Sequence, residues 1–273
     1  MTTHVFDQAL ALTAQAEDEF LGASHPAYWN MVGPYGGITA ATLLNAVMQH
    51  PKRLGEPVAL TVNYASALVA GPFRVVANPV RTNRSTQHWM IALWQVDANG
   101  EDGVVTTGTA LTALPRTTWG VDEIAMPAVP KPDDVPTVAL FKGVAWTQRY
   151  EVRPISGAIP TVWDGSGSTS LTQMWVRDAE PRPLDRLSLA AMADVFYPRV
   201  WLRRATQVPA GTVSMTIYFH ASAAQLAATG TGCLLAQAQA QAIRNGFFDQ
   251  TAQLWNEAGD LLVTSHQVVY YKE

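Results

Sequence analysis

The sequence predicts an α+β fold built from two repeats, each a central helix wrapped by a curved antiparallel sheet, with the two sheets joined edge to edge. Three observations predict it. The chain of 273 residues lies at the length where one hydrophobic core stops growing and chains tend to divide. Each half runs from a helical stretch into several β-rich runs. A proline-rich segment separates the halves, and we assign residues 1–120 to the first repeat, 121–140 to the linker and 141–273 to the second.

Each repeat is expected to have one central helix. The first helical stretch is Gly36–Met48, and the second is Leu184–Phe196. Both are rich in alanine and leucine, which are strong helix formers. In the second stretch the apolar residues return at helical spacing. Its small alanines would let a sheet approach closely, so a helix enclosed by its sheet is the expected arrangement.

The strands that follow each helix align between the halves. Thr61-Val62 matches Thr216-Ile217, and Leu93-Trp94 matches Leu254-Trp255. The final runs of both halves alternate and are rich in β-branched residues, as is typical of strands. Because the order of helix, strand and further strands occurs twice, duplication explains the pattern better than chance similarity of short apolar runs.

Composition restricts the functional class. Charged residues make up 15% and hydrophobic residues 48%, with a net charge of −4, so the chain is not disordered and lacks the basic surface that nucleic acids require. Neither a signal peptide nor an apolar run long enough to span a membrane is evident, so we expect a cytoplasmic protein. The single Cys233 has no disulfide partner in the chain. Low charge also indicates either a large buried fraction or surface covered by another copy, and we expect a homodimer or higher homo-oligomer.

Asp194 is the strongest catalytic candidate from the residues alone. It lies among Met192, Ala193, Val195 and Phe196, which are expected to be buried. Since a carboxylate in apolar surroundings is costly without hydrogen bonds, such a residue often marks a site or a helix cap. The simpler alternative is an aspartate at a helix end that faces solvent.

The other polar candidates are weaker when taken alone. Thr212 could be only a β-former, and Gln267 could lie at a wet edge, although an inward glutamine would need partners. Gly36 and Gly37 begin a helix, where backbone N–H groups could stabilise a developing oxyanion, or they could serve only packing. His220 ends a strand and either contacts substrate or is structural.

Several other chemistries are not predicted. The histidines are scattered rather than set at ligand spacing, so we expect no metal site. The sequence has neither a nucleotide-binding glycine motif nor the Gly-x-Ser-x-Gly of a serine hydrolase, and we expect no cofactor.

Four segments, taken in order, resemble the type II (TesB-like) acyl-CoA thioesterases. They are the glycine-rich helix entry at 33–41, the turn and strand at 83–95, the strand ending in Phe219-His220, and the closing strand at 259–267. The resemblance implies a double-hotdog fold and hydrolysis of an acyl-CoA. It further implies that Asp194, Thr212 and Gln267 together hold the attacking water, with Gly36, Gly37 and His220 near the substrate.

The sequence also departs from that family's pattern. Ser214 replaces an acidic residue, Ala221 replaces an arginine, and Ile38 replaces a glutamine. These changes suggest one alternative, a non-catalytic hotdog protein that binds acyl thioesters. A second alternative is a hotdog enoyl hydratase or dehydratase, which would require a histidine close to Asp194 in the sequence. The acyl chain, and the choice between CoA and acyl carrier protein, stay open.

Overall fold

The computed structural model describes residues 3–97, 99–141 and 143–273, which form two compact units. The first unit comprises Met1–Gly120, Val144–Trp146 and Arg186–Asp194. The second comprises Val121–Gly143, Thr147–Asp185 and Val195–Glu273. The first unit therefore includes two segments, Val144–Trp146 and Arg186–Asp194, that come after residue 120 in the sequence.

The described residues form five α-helices, three 3-10 turns and thirteen strands. Its helices are α1 (Val5–Ala9), α2 (Gly36–Gln49), α3 (Arg186–Met192), α4 (Arg199–Arg204) and α5 (Ala223–Thr229), and its 3-10 turns are Pro26–Tyr28, Pro132–Asp134 and Ala145–Arg149. Its strands are β1 (Thr13–Ala14), β2 (Glu19–Ala23), β3 (Glu56–Tyr64), β4 (Pro72–Thr82), β5 (Thr86–Val96), β6 (Asp102–Ala113), β7 (Tyr150–Ser156), β8 (Thr172–Asp178), β9 (Ala210–Phe219), β10 (Leu234–Gln239), β11 (Ile243–Arg244), β12 (Phe247–Asn256) and β13 (Leu261–Tyr271).

The strand order confirms the predicted duplication. In the first unit the antiparallel order is β1-β2-β4-β5-β6-β3. In the second unit β8-β10-β12-β13-β9 runs in the same order as β2-β4-β5-β6-β3. The aligned pairs fall on equivalent strands: Thr61-Val62 and Thr216-Ile217 on β3 and β9, Leu93-Trp94 and Leu254-Trp255 on β5 and β12.

Helix α2 forms the interior of the first unit. Its residues from Gly37 to Val47 are all buried, and it contacts β3, β4, β5, β6 and α3. A helix that is buried on every side must be apolar or small on every side. Ala40, Ala41 and Ala46 are completely buried, which confirms a small-residue helix enclosed by its sheet.

The second predicted helix, 184–196, is shorter in the structure, where α3 covers Arg186–Met192. Helix α3 ends at Met192, a turn follows at Ala193 and Asp194, and α4 begins at Arg199. Pro198 lies beyond the predicted helix as the N-cap of α4, and its ring disfavours helical geometry at the residue before it, so α3 cannot continue into α4. Helix α3 belongs to the first unit and packs on α2, whereas α4 lies in the second unit against β12.

One hydrophobic cluster of the second unit lies around α4. Tyr197, Val200, Trp201, Phe248 and Tyr271 pack together there. Trp201 donates its indole N–H to the carbonyl of Val208 at 2.7 Å, so this large apolar side chain is buried without leaving its polar atom unpaired.

The proline-rich segment is part of the second unit and is held there by hydrogen bonds. Its 3-10 turn is Pro132–Asp134, and Pro132 is buried. The Nε1 of Trp175 donates to the carbonyl of Pro130 at 2.9 Å, and Arg153 donates to the carbonyl of Pro132 at 2.6 Å. Hydrogen bonds to prolyl carbonyls hold the segment in place where regular structure cannot form. In the part of the chain described above, no helix has the length and apolarity needed to cross a membrane.

Candidate functional site

Asp194 lies in the turn that follows α3 in the first unit. Its backbone N–H bonds to the carbonyl of Ala191 at 3.2 Å, and only 9% of the residue is exposed. Burial of a carboxylate at this point agrees with the sequence prediction, and the solvent-facing alternative is wrong. The helix ends before Asp194 rather than containing it.

The close contact between α2 and α3 brings Asp194 to the start of α2. Tyr35, the N-cap of α2, donates its hydroxyl to the carbonyl of Ala191 at 2.6 Å. A β-carbon on Gly37 would collide with that same carbonyl. Gly37 therefore has a packing role, because only a residue without a side chain lets the two helices approach so closely.

Gly36 provides the space that the carboxylate of Asp194 occupies. A β-carbon built on Gly36 would lie 2.6 Å from Oδ2 of Asp194. The carboxylate therefore lies beside the first residue of α2, where the helix dipole favours negative charge. The side chain of the N-cap residue Tyr35 makes no capping hydrogen bond to α2. The N–H groups of the first turn therefore depend on other acceptors.

Tyr64 is a further polar residue beside Asp194. It ends β3, is half-buried, and donates its hydroxyl to the carbonyl of Gly36 at 2.8 Å. Burial, with the negative charge of Asp194 adding to it, holds the pKa of Tyr64 well above that of an ordinary phenol. The side chain is therefore neutral at physiological pH. Sequence reasoning missed Tyr64, since a tyrosine at the end of a strand is common.

Thr212 and Gln267 contact each other in the second unit. The hydroxyl of Thr212 donates to Oε1 of Gln267 at 3.1 Å. Gln267 is 2% exposed, and its Nε2 lies 3.3 Å from the sulfur of Met215. Gln267 therefore points inward with partners, as the functional interpretation required, and does not lie at a wet edge.

A β-bulge places Thr212 on the inward face of the sheet. On β9, Ser214 pairs with Val268 and Thr212 pairs with Val269, so Val213 is the extra residue. Met215, like the alternate residues after it, is buried, and regular alternation would therefore turn Thr212 outward. The bulge reverses this alternation, so that Thr212 faces the same way as Gln267.

His220 lies at the other end of β9 from Thr212, about 26 Å along the strand at ~3.3 Å per residue. It is exposed, and its Nε2 shares a hydrogen bond of 3.0 Å with the hydroxyl of Thr264. Partial desolvation lowers the pKa of His220, and Asp122 opposes that shift. The structure thus groups Asp194 with Gly36, Gly37 and Tyr64, groups Thr212 with Gln267, and leaves His220 at a strand end.

Comparison with known proteins identifies the family. Residues 25–113 match the N-terminal domain of the acyl-CoA thioesterases, and residues 121–271 match the C-terminal domain. The chain belongs to the acyl-CoA thioesterase family. The resemblance predicted from the sequence is confirmed, and the two matched domains correspond to the two repeats of the double-hotdog fold.

Solved structures show that other proteins share the fold of this acyl-CoA thioesterase family member. A conserved hot dog protein of unknown function from Alicyclobacillus acidocaldarius is 45% identical, with a TM-score of 0.93 over 100% of this chain and 99% of that one. A putative thioesterase II from Thermobifida fusca is 19% identical, with a TM-score of 0.80 over 98% of both chains. The acyl-CoA thioesterase II TesB2 of Mycobacterium marinum is 17% identical, with a TM-score of 0.75 over 98% of both chains. None of the curated proteins matches this one.

Proposed function

We propose that this protein hydrolyses an acyl-CoA thioester to a free acid and CoA by direct attack of water. The observation that carries the proposal is the buried carboxylate of Asp194 at the N-terminus of α2, in a chain whose two halves match acyl-CoA thioesterase domains. A carboxylate held there has the negative charge that a general base needs.

In the proposed reaction Asp194 accepts a proton from water while the water oxygen bonds to the thioester carbonyl carbon. The carbon–sulfur bond then breaks, CoA leaves as a thiolate, and the proton returns to the sulfur. The N–H groups of the first turn of α2, at Gly36 and Gly37, would stabilise the negative charge on the carbonyl oxygen. No covalent enzyme intermediate is required.

Thr212 and Gln267 are proposed to hold the same water as Asp194. Because the Thr212 hydroxyl gives its hydrogen to Gln267, its oxygen lone pairs can accept a hydrogen bond from water. The Nε2 of Gln267 donates to the sulfur of Met215, which is a weak acceptor. In the proposed arrangement the same amide group also donates to the attacking water. That Thr212, Gln267 and Asp194 bind one and the same water is part of the proposal.

The decisive experiment is a thiol-release assay over a panel of acyl-CoAs with short, long, branched and aromatic acyl groups, with the acid product identified by mass spectrometry. We expect release of free CoA together with the corresponding acid. Tight acyl-CoA binding without thiol release would instead indicate a binding protein. Loss of enoyl absorbance without thiol release would indicate a hydratase, and either result would contradict the proposal.

Replacing Thr212 by valine tests whether the second unit contributes to hydrolysis. Valine keeps the shape of the side chain but removes the hydroxyl that bonds to Gln267. Loss of one neutral hydrogen bond corresponds to about a tenfold fall in kcat. Thr212→Ser, which restores the hydroxyl, is expected to recover most of the activity in the same assay. Equal activity of the valine and wild-type proteins would remove Thr212 from the mechanism.

A further inference from the structure

We propose that Tyr64 is a positioning residue, which ties the first turn of α2 to β3 and so fixes the helix end beside Asp194. This inference rests on the proposed function, because the helix end matters for catalysis only if the thioester carbonyl binds there. Tyr64 belongs to none of the segments that carry the family resemblance, and it acts through Gly36 rather than on the substrate.

Three parts of the first unit meet at Gly36. Tyr64, at the end of β3, donates its hydroxyl to the Gly36 carbonyl at 2.8 Å. Asp194, in the turn after α3, places Oδ2 within 2.6 Å of where a β-carbon on Gly36 would lie. That same β-carbon position is 3.5 Å from the Tyr64 hydroxyl. Strand, helix start and carboxylate are thus packed around one residue that has no side chain.

The hydrogen bond from Tyr64 adds a second restraint on the start of α2. The N-cap Tyr35 is held to the carbonyl of Ala191 through its hydroxyl, and its side chain makes no capping bond to the helix itself. The Tyr64 hydroxyl holds the first peptide unit from the carbonyl side and leaves the N–H groups at 36–38 directed away from the helix. Only the neutral phenol can donate this bond, and burial beside Asp194 keeps it neutral.

Loss of this bond should affect catalysis more than binding. If the first turn of α2 moves, the N–H groups lose alignment with the charge that develops on the carbonyl oxygen, and interactions made only in the transition state change kcat. Tyr64 is proposed to act only on the helix end that faces the thioester carbonyl, so the KM should change little.

The test is Tyr64→Phe, which keeps the ring and removes only the hydroxyl. We expect kcat to fall about tenfold, with KM within about twofold. We also expect faster amide hydrogen exchange in the peptide that contains residues 36–38, with no general change elsewhere. Tyr218→Phe is the matched control, because Tyr218 is an exposed tyrosine on β9, and it should leave both quantities unchanged.

The outcomes separate this inference from the proposed function. An active wild-type protein with unchanged kcat and exchange in Tyr64→Phe would overturn the positioning role. A Tyr64→Phe variant with a lower kcat, a higher KM and a lower unfolding temperature would also overturn it. That combination indicates general damage to the fold. Absence of thiol release by the wild-type protein would count against the proposed function. In that case, unchanged amide exchange in Tyr64→Phe would independently overturn the positioning role of Tyr64.

Discussion

Replacing Asp194 by alanine is expected to lower kcat for acyl-CoA hydrolysis by about 100-fold or more, in line with the usual contribution of a general base. Asp194→Asn should be nearly as inactive, because the amide keeps the size of the side chain but cannot accept the proton from water. The carboxylate lies buried at the start of α2, so no solvent-exposed base can take its place. Thiol release by the purified variants, measured at saturating substrate, gives kcat directly.

Asp133→Asn provides the control for the loss of one carboxylate. Asp133 is exposed in the second unit, and its amide variant should keep wild-type kcat. Thermal unfolding of all three variants checks that they are folded. Near-wild-type hydrolysis by Asp194→Ala across the acyl-CoA panel would falsify the proposed mechanism, whatever the other variants do.

Gly36→Ala is expected to reduce kcat by about 100-fold while the protein stays folded. The added methyl group would lie 2.6 Å from Oδ2 of Asp194, so the carboxylate must move. Displacement of a catalytic group by about 1 Å can cost roughly 100-fold in rate. The helix itself should tolerate the change, since alanine is a better helix former than glycine. Comparison of kcat with the unfolding temperature separates these two effects.

Gly103→Ala is the matched control for that variant. Gly103 lies in β6 of the same unit, and a β-carbon there would meet nothing within 4 Å. We expect this variant to retain wild-type kcat. If Gly36→Ala is as active as Gly103→Ala, the carboxylate is not held where the structure places it, or its position does not limit the reaction.

Local chemistry made part of this arrangement predictable. Asp194 stands among apolar residues, and a charged group in such a context has few structural explanations other than a cap or a site. The strand equivalences, such as Leu93-Trp94 with Leu254-Trp255, were predictable because equivalent strands of the two halves share short sequence patterns. Both helical stretches are rich in alanine and leucine, which predicted central helices, and α2 is buried as that prediction requires.

Features that depend on tertiary contacts were not predictable. Alternation along β9 places Thr212 outward, and only the register against β13 reveals the extra residue Val213. The contact between Tyr64 and Gly36 joins the end of a strand to the start of a helix, and neither residue signals the other. The role of Gly37 depends on the carbonyl of Ala191, which is remote in the sequence.

The first unit is discontinuous, and this limits how the protein can be dissected. A fragment that ends at residue 120 would lack Arg186–Asp194, and with it the carbonyl that receives the Tyr35 hydroxyl. The face of α2 that packs on α3 would be open to water in such a fragment, which favours aggregation. Expression of the N-terminal half alone should therefore give insoluble protein. Because Asp194 is encoded in the C-terminal half but belongs to the first unit, truncation separates the carboxylate from the helix that supports it.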